Sequence, residues 1–410
     1  MPNLFFTPTV VAKEFLRQLE VNLVLGKLVG TDYSSEFSMI GSSVKVRRQP
    51  MFLGQDNNLD LSSFTEDVEE GTMTVSLATT WSDKVKIGAV DRTLSFDRWS
   101  DFVIKPMAQR AAEKIEQSIM AQYFNAYWFD GTPGTTPSTF LALANAGAIM
   151  DDANIPMMNR AALHSPAASA ALADGVKGVF VQNIAKTALE MATIGNYGGF
   201  TNYKTVFAPT HTVGVATGTP VINGASQNVT YAVCKDTWSQ TIITSGWTNS
   251  ITGILKAGDV FTIAGVFAVN PSTKASTARL QTFAVLADAN SGATTGPATL
   301  TISPPIISSG AYQTVSAAPA NSAAIVVKTG TGGTSYRQSI LMDPSAITVV
   351  SRPLDIPSGA GVKSHVEQGN IVSIAVSEYT TGDTLAHNMR FDMLWQPVVI
   401  DPRKIMRLTN

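Results

Sequence analysis

Apolar side chains recur at every fourth position near the start of the chain. Val11, Phe15, Leu19 and Leu23 form the stripe, Ala12 and Leu16 widen it, and Lys13, Glu14, Arg17 and Glu20 lie between them. This spacing predicts a helical arm with one apolar face, and that face must be buried against something. From Ser43 the period changes to two. Ser43-Val-Lys-Val-Arg-Arg, Met73-Thr-Val-Ser-Leu-Ala and Lys84-Val-Lys-Ile alternate apolar with polar positions, which predicts one long hairpin over residues 43–92. Its polar tip holds Gln55-Asp-Asn-Asn and the acidic run Glu66-Asp-Val-Glu-Glu-Gly. A two-stranded ribbon of this length is marginal alone in water and needs lateral partners.

The clearest helix follows. Pro106 sits where a missing N–H is harmless, and Met107, Ala111, Ile115, Ile119 and Tyr123 then repeat at every fourth position. Ala108 and Ala112 widen this stripe, Arg110, Glu113, Lys114 and Glu116 occupy the other faces, and Asp130-Gly-Thr-Pro-Gly ends the run. Roughly 22 helical residues make a rod of about 33 Å. Between Asn159 and Gly214 a helix starts at Ser165-Pro166 and a second helical run, Ile184-Ala-Lys-Thr-Ala-Leu-Glu-Met-Ala, leads to a turn at Gly195, Gly198 and Gly199. An extended Phe207-Ala-Pro-Thr-His-Thr segment comes next.

Short β runs then take over. Thr241-Ile, Gly253 to Val266, Leu280 to Leu286 and Thr299-Leu-Thr-Ile-Ser-Pro are separated by Gly, Asp, Asn and Pro turns, the spacing of a small barrel or sandwich. Beyond Ser339, Ile347-Thr-Val-Val, Gly369 to Val376 and Asn388 to Trp395 read as strands of one sheet, and Pro397-Val-Val-Ile-Asp-Pro-Arg-Lys as a last strand.

Charge sharpens this division. Of 60 acidic and basic side chains, 29 fall within residues 1–120, whereas residues 219–326 hold seven: Lys235, Asp236, Lys256, Asp259, Lys274, Arg279 and Asp288. The charge-poor block is a module of different construction. The 410-residue chain is long enough for two or three domains. Its formal charge of -2 lacks the basic excess of a dedicated nucleic-acid binder, so any contact with DNA or RNA is weak or local. Cys234 is the single cysteine, which excludes an intrachain disulfide and a cysteine-based zinc site. The first residues lack the basic and apolar regions of a signal peptide, and no run of about 18 apolar residues indicates a membrane span. These features read as a soluble protein.

Catalytic and cofactor signatures are absent from the sequence. His164, His211, His365 and His387 have no second ligand at metal spacing, and His164 and His211 read as hydrogen-bonded structural residues. The GxSxG elbow, the phosphate loop and the EF-hand are missing, and Gly330-Thr-Gly-Gly-Thr reads as a flexible return from the module. No catalytic, cofactor-binding or metal residue is assigned, and the 14 methionines read as core filler. The acidic run on the hairpin is a solvated surface first. Its sharper reading pairs Glu66, Asp67, Glu69 and Glu70 with Arg47, Arg48, Lys84 or Lys86 across a subunit boundary, setting register more than strength.

Taken in order, the arm, the long hairpin, the long helix, the mixed segment Asn159–Gly214 and the closing strands resemble the HK97-type fold of tailed-bacteriophage major capsid proteins. Ser351-Arg-Pro-Leu-Asp-Ile-Pro, Ile371-Val-Ser-Ile-Ala-Val, Glu378-Tyr, Arg390-Phe-Asp-Met-Leu and Asp401-Pro-Arg-Lys are similar to the C-terminal strands of that family. Within it, the Gly258-Asp-Val-Phe-Thr-Ile-Ala-Gly-Val stretch resembles a strand of the inserted β domain of short-tailed, Salmonella-phage-type coats. The resemblance implies an α+β fold: an N-terminal arm (1–40), an extended loop (41–92), a peripheral domain with a spine helix (93–135), an axial domain in two parts (136–218 and 327–396), an inserted β domain (219–326) and a closing peripheral strand (397–410). It further implies self-assembly into hexamers and pentamers of an icosahedral shell, a scaffolding protein, a portal protein, weak contact with packaged double-stranded DNA, assembly in the bacterial cytoplasm and no membrane partner. In such a shell, the arm's stripe and the ribbon find their complements on adjoining protomers. A surface β-rich, adhesin-like protein is the alternative that the Thr/Ser/Gly block suggests, and an enzyme built from residues joined only by folding is the third.

Overall fold

The computed structural model describes residues 7–31, 43–48, 50–55, 59–62, 64–68, 70–87, 100–176, 195–231, 233–356, 359, 362–381 and 386–410. The chain forms two compact units. Residues 1–46, 74–119 and 347–398 make the first, and residues 47–73, 120–346 and 399–410 the second. Helices and sheets occur in both, so the fold is α+β as the pattern predicts.

A five-stranded sheet organises the first unit. Its order is Ile347–Ser351, Ala386–Val399, Ser373–Thr381, Val362–Gln368, with Thr79–Ile87 also paired to the long strand Ala386–Val399. The arm helix Pro8–Asn22 lies on Val362–Gln368 and Ser373–Thr381. Val11, Ala12, Phe15, Leu19 and Leu23 are at most 1 % exposed, and Phe15 stacks on Phe391 with ring centroids 5.1 Å apart. The expectation that a neighbour covers this stripe is therefore overturned, because the chain's own sheet covers it. The need is mutual: Ile374, Val376 and Phe391 share one face of that sheet and are as apolar as the helix. Each large side chain buried here contributes about 1.5–3 kcal/mol.

The long helix Lys105–Met120 follows a π-helical turn, Ser100–Ile104, and ends in a 3-10 turn, Ala121–Asn125. Within the first unit its Glu116 is buried and accepts the N–H groups of Val24 (2.7 Å) and Leu25 (3.1 Å), which follow the arm helix.

In the second unit a seven-stranded mixed sheet runs Trp128–Asp130, Ile405–Thr409, Ser335–Met342, Ala161–His164, Phe200–Lys204, Asn196–Tyr197, with Thr210–Thr212 also pairing Ser335–Met342. Helices Phe140–Asp152 and Pro166–Val176 pack on it. The charge-poor block forms a second, six-stranded sheet in the order Ile325–Val327, Val260–Val269, Ser276–Val285, Ala298–Ser303, Gln240–Trp247, Gly218–Ile222. A bridge between Val221 and Ala324 joins its two edges, so the sheet closes into a barrel. Phe261, Ile263, Phe283, Leu300 and Ile302 fill the interior. Gly246 permits a bulge on the closing side, since a Cβ there would meet the Thr219 carbonyl oxygen at 2.4 Å. Val260, Ala268 and Ala284 of the barrel share a core with Leu143, Phe200, Leu341 and Met406 of the mixed-sheet body.

Three sequence expectations differ from the structure. The predicted hairpin is divided: Ser43–Arg47 pairs with Thr72–Ser76, but Thr79–Ile87 joins the five-stranded sheet, with Lys84 opposite Arg390 and Lys86 opposite Asn388. A ladder on a central sheet buries more than a free ribbon can. The last strand lies at Ile405–Thr409, after a 3-10 turn Pro402–Lys404 capped by Asp401. It belongs to the second unit, while residues 347–398 belong to the first, so the segment 327–396 is parted near Ile347. Finally, the glycine-rich return is pinned rather than flexible. Gly333 donates to the Val213 carbonyl at 3.1 Å, Val213 donates to the Thr334 carbonyl at 3.0 Å, and a Cβ at Gly332 would meet the Val215 oxygen at 2.1 Å. The second helical run, beginning at Ile184, lies outside the described residues.

Removing the arm's anchor tests this packing: Phe15→Ala is expected to cost about 3–5 kcal/mol in the first unit, read by hydrogen exchange in Ser373–Thr381. Acid tests it differently. The Arg17 guanidinium holds the Glu14 carboxyl at about 2 against partial burial, which pushes the other way, while Gln18 and Ser100 add hydrogen bonds. Because this pKa is lower folded than unfolded, its stabilisation is present above pH ~4.5 and is lost as pH falls towards 2. Protection of the arm's amides, taken relative to unstructured-peptide rates at each pH from 5 to 2, should fall less steeply in Glu14→Gln than in the native chain.

Candidate assembly surfaces

The eight charged residues singled out in sequence occupy two places. Lys84 and Lys86 lie exposed on Thr79–Ile87 in the first unit, with the Lys84 ammonium 5.4 Å from the Tyr379 ring centroid. Arg47, Arg48, Glu66, Asp67 and Glu70 belong to the ribbon's second-unit part, and Glu69 lies outside the described residues. Arg47 pairs with Glu70 at 3.1 Å on its own chain, and both side chains are exposed, so the pair contributes about 0–1 kcal/mol. Glu66 accepts the N–H groups of Leu53 (2.8 Å) and Gly54 (3.2 Å), folding the tip onto itself. Asp67 is exposed. Arg48 turns inward, its Nη2 3.6 Å from Met73 Sδ, and burial pushes its pKa down.

What the sequence reading missed is the apolar content of the same tip. Phe52, Leu53, Leu59, Leu61 and Val68 are all more than half exposed, and Leu59 is fully so. Single exposed apolar side chains are ordinary, but five between Phe52 and Val68 mark a segment of the kind that contacts other proteins. Residues 49–71 also carry six acidic side chains and no basic one. The signal available in sequence was Leu59-Asp-Leu61, an alternating pattern too short to separate from the polar residues around it.

Inside the second unit the polar groups are matched instead of exposed. Asp259, with no exposed surface, accepts from His211 Nε2 (2.8 Å) and Thr329 Oγ1 (2.9 Å) on one oxygen, and from the Gly214 (2.9 Å) and Lys256 (2.7 Å) N–H groups on the other. Burial alone would raise its pKa, yet these donors outweigh it and hold the carboxyl below the usual range. The other ring nitrogen of His211 lies 3.1 Å from the Tyr123 hydroxyl. This His–Asp pair has the partners of a catalytic dyad but is sealed from solvent, and Asp259, within the barrel, bonds through His211 and Thr329 to both crossings between body and barrel. Its role is to join them. His164 is likewise buried, bonded through Nε2 to Asn202 at 3.0 Å, and burial lowers its pKa to about 4. Both histidines are thus hydrogen-bonded structural residues, as the sequence indicated. Among the described residues, no group of three His, Cys, Asp or Glu side chains is placed to hold a metal, and no helix is long and apolar enough to cross a membrane.

The P22 coat protein (gene protein 5) family profile matches residues 4–406. The major capsid protein of Acyrthosiphon pisum secondary endosymbiont phage 1 is 27 % identical over 96 % of this chain and 95 % of its own length. Among solved structures, the CUS-3 coat protein I-domain is 33 % identical over 28 % of this chain and 97 % of its own, with a TM-score of 0.21. The capsid of Ralstonia phage GP4 aligns over 94 % of this chain and 88 % of its own, at 8 % identity and a TM-score of 0.46.

Removing the Asp259 acceptor leaves four buried donors unmet. Asp259→Ala is expected to destabilise the second unit by at least about 3 kcal/mol, and Asp259→Asn, which keeps one acceptor oxygen, by less, as read by denaturant unfolding.

Proposed function

Because this chain belongs to the P22 coat protein family, matched along residues 4–406, we propose that its exposed ribbon and inserted barrel serve the assembly of a closed icosahedral shell around double-stranded DNA. It is a phage major capsid protein, a structural component of the virion and not an enzyme. Its copies associate with one another. The finer reading gives it hexamers and pentamers of identical chains, a scaffolding protein to guide curvature, a portal protein where growth starts, and assembly in the bacterial cytoplasm before DNA enters.

In this reading residues 1–40 are the arm, 41–92 the extended loop, Lys105–Met120 the spine helix and the barrel the inserted domain. The assignment from sequence is revised at two places, the strands from Ile347 to Val399 moving from the axial to the peripheral domain with the five-stranded sheet, and Trp128–Asp130 with Ile405–Thr409 moving from the peripheral to the axial domain with the mixed sheet. The observation that carries the assignment of contact surface is the tip, whose five apolar side chains have no cover while the arm's stripe is fully covered. Near-neutrality supports the same reading, since identical chains at -2 approach without strong mutual repulsion. Contact with DNA at that charge is weak and nonspecific. Heterologous contacts between identical copies propagate into rings, and closure follows from their angle.

Mixing the purified chain with its scaffolding protein and imaging by negative stain tests the reading: uniform shells are expected, and a persistent monomer overturns it. Leu59→Asp with Leu61→Asp should leave unfolding unchanged and reduce shell yield at least tenfold, the effect of losing about 1.4 kcal/mol per contact. Undiminished yield would remove the tip from the contact surface.

A further inference from the structure

Just inside the exposed tip lies a neck of the ribbon, where the Arg48 N–H donates to the Gly71 carbonyl at 2.7 Å. This neck leans on the inserted module. On one strand, the Thr72 N–H and hydroxyl both donate to Asp236 Oδ1, at 2.7 and 3.2 Å. On the other, the Met51 N–H donates to the Tyr312 hydroxyl at 3.0 Å. Arg403, held by Asp401 through two hydrogen bonds of 2.8 and 2.9 Å, places Nη1 2.9 Å from Met51 Sδ and lies over the Trp238 ring. The approach is close enough to demand glycine: a Cβ at Gly71 would stand 2.8 Å from both Cys234 Sγ and the Lys235 carbonyl oxygen.

We propose that the inserted module aims the ribbon. Asp236 and Tyr312 form a latch that fixes both strands of the neck on the chain's own module before any neighbour is met. A segment gripped on one strand can still swing, whereas one gripped on both has a single direction. The tip then reaches an adjoining copy already oriented, which lowers the ordering cost of association. That the ribbon meets a neighbour rests on the function proposed above, but the latch is measurable in the unassembled chain, so the two can fail separately.

Amide hydrogen exchange on the full chain, under conditions that keep it unassembled, provides the test. Asp236→Ala should accelerate exchange about tenfold at Thr72 and also at Met51, whose own acceptor is untouched, while Val260–Val269 keeps its native rates. Tyr312→Phe should do the reciprocal, loosening Thr72 as well as Met51. Gly71→Ala should reproduce both effects without removing any hydrogen-bonding group, and Asp236→Asn, which keeps the acceptor oxygen, should stay near native rates. If each substitution frees only its own amide, the contacts are independent and the latch is overturned. Acceleration spreading equally into Val260–Val269 overturns it too, because the module itself has then loosened. Assembly of Asp236→Ala with scaffolding protein should be slower although the tip is intact, and an unchanged rate would overturn the aiming role.

Discussion

Asp259 draws four donors from three segments to one point: His211 and Gly214 where the chain enters the barrel, Lys256 within it, and Thr329 where the chain leaves. A carboxylate with no exposed surface costs several kcal/mol unless its oxygens are met, so these segments form their contacts together or not at all. The rest of the second unit follows from that constraint. With both crossings fixed, the barrel can pack Val260, Ala268 and Ala284 onto the body and share one apolar core with it. Without it, an insertion joined by two strands would hang from its connections.

Much of the architecture was legible because period and length speak directly to it. The four-residue spacing from Val11 and from Met107 marks the two helices, and the alternating runs at Ile347, Ile371 and Asn388 do lie in one sheet. The charge-poor block holds the six strands of one barrel. Pairing partners were less visible. Thr79–Ile87 alternates in the same way whether it folds back on Thr72–Ser76 or joins a strand three hundred residues later, because alternation describes a strand's two faces and not its edges. The arm shows the same limit: an apolar stripe states that cover is needed, and only the fold says that Phe391 supplies it.

At the ribbon tip the sequence exposed charge and hid greasiness. The acids of residues 66–70 were plain, yet Arg47 answers Glu70 within the chain and Glu66 is spent on the backbone of its own tip. Phe52, Leu53, Leu59, Leu61 and Val68 are each more than half exposed. Exposure is a property of the folded chain, and no local pattern encodes it. The His211–Asp259 pair was out of reach for a similar reason, since its members come from separate strands and spacing alone cannot join them.

The strand Ile405–Thr409 does not sit at an edge of the mixed sheet. It lies between Trp128–Asp130 and Ser335–Met342 and hydrogen-bonds to both. During synthesis those two neighbours emerge from the ribosome before Ile405–Thr409, with a gap between them that this strand fills. The barrel has no such debt, because all six of its strands fall between Gly218 and Val327. It can therefore close before Ile405–Thr409 is made and hold the waiting edges near each other, so that this strand completes a body already half assembled.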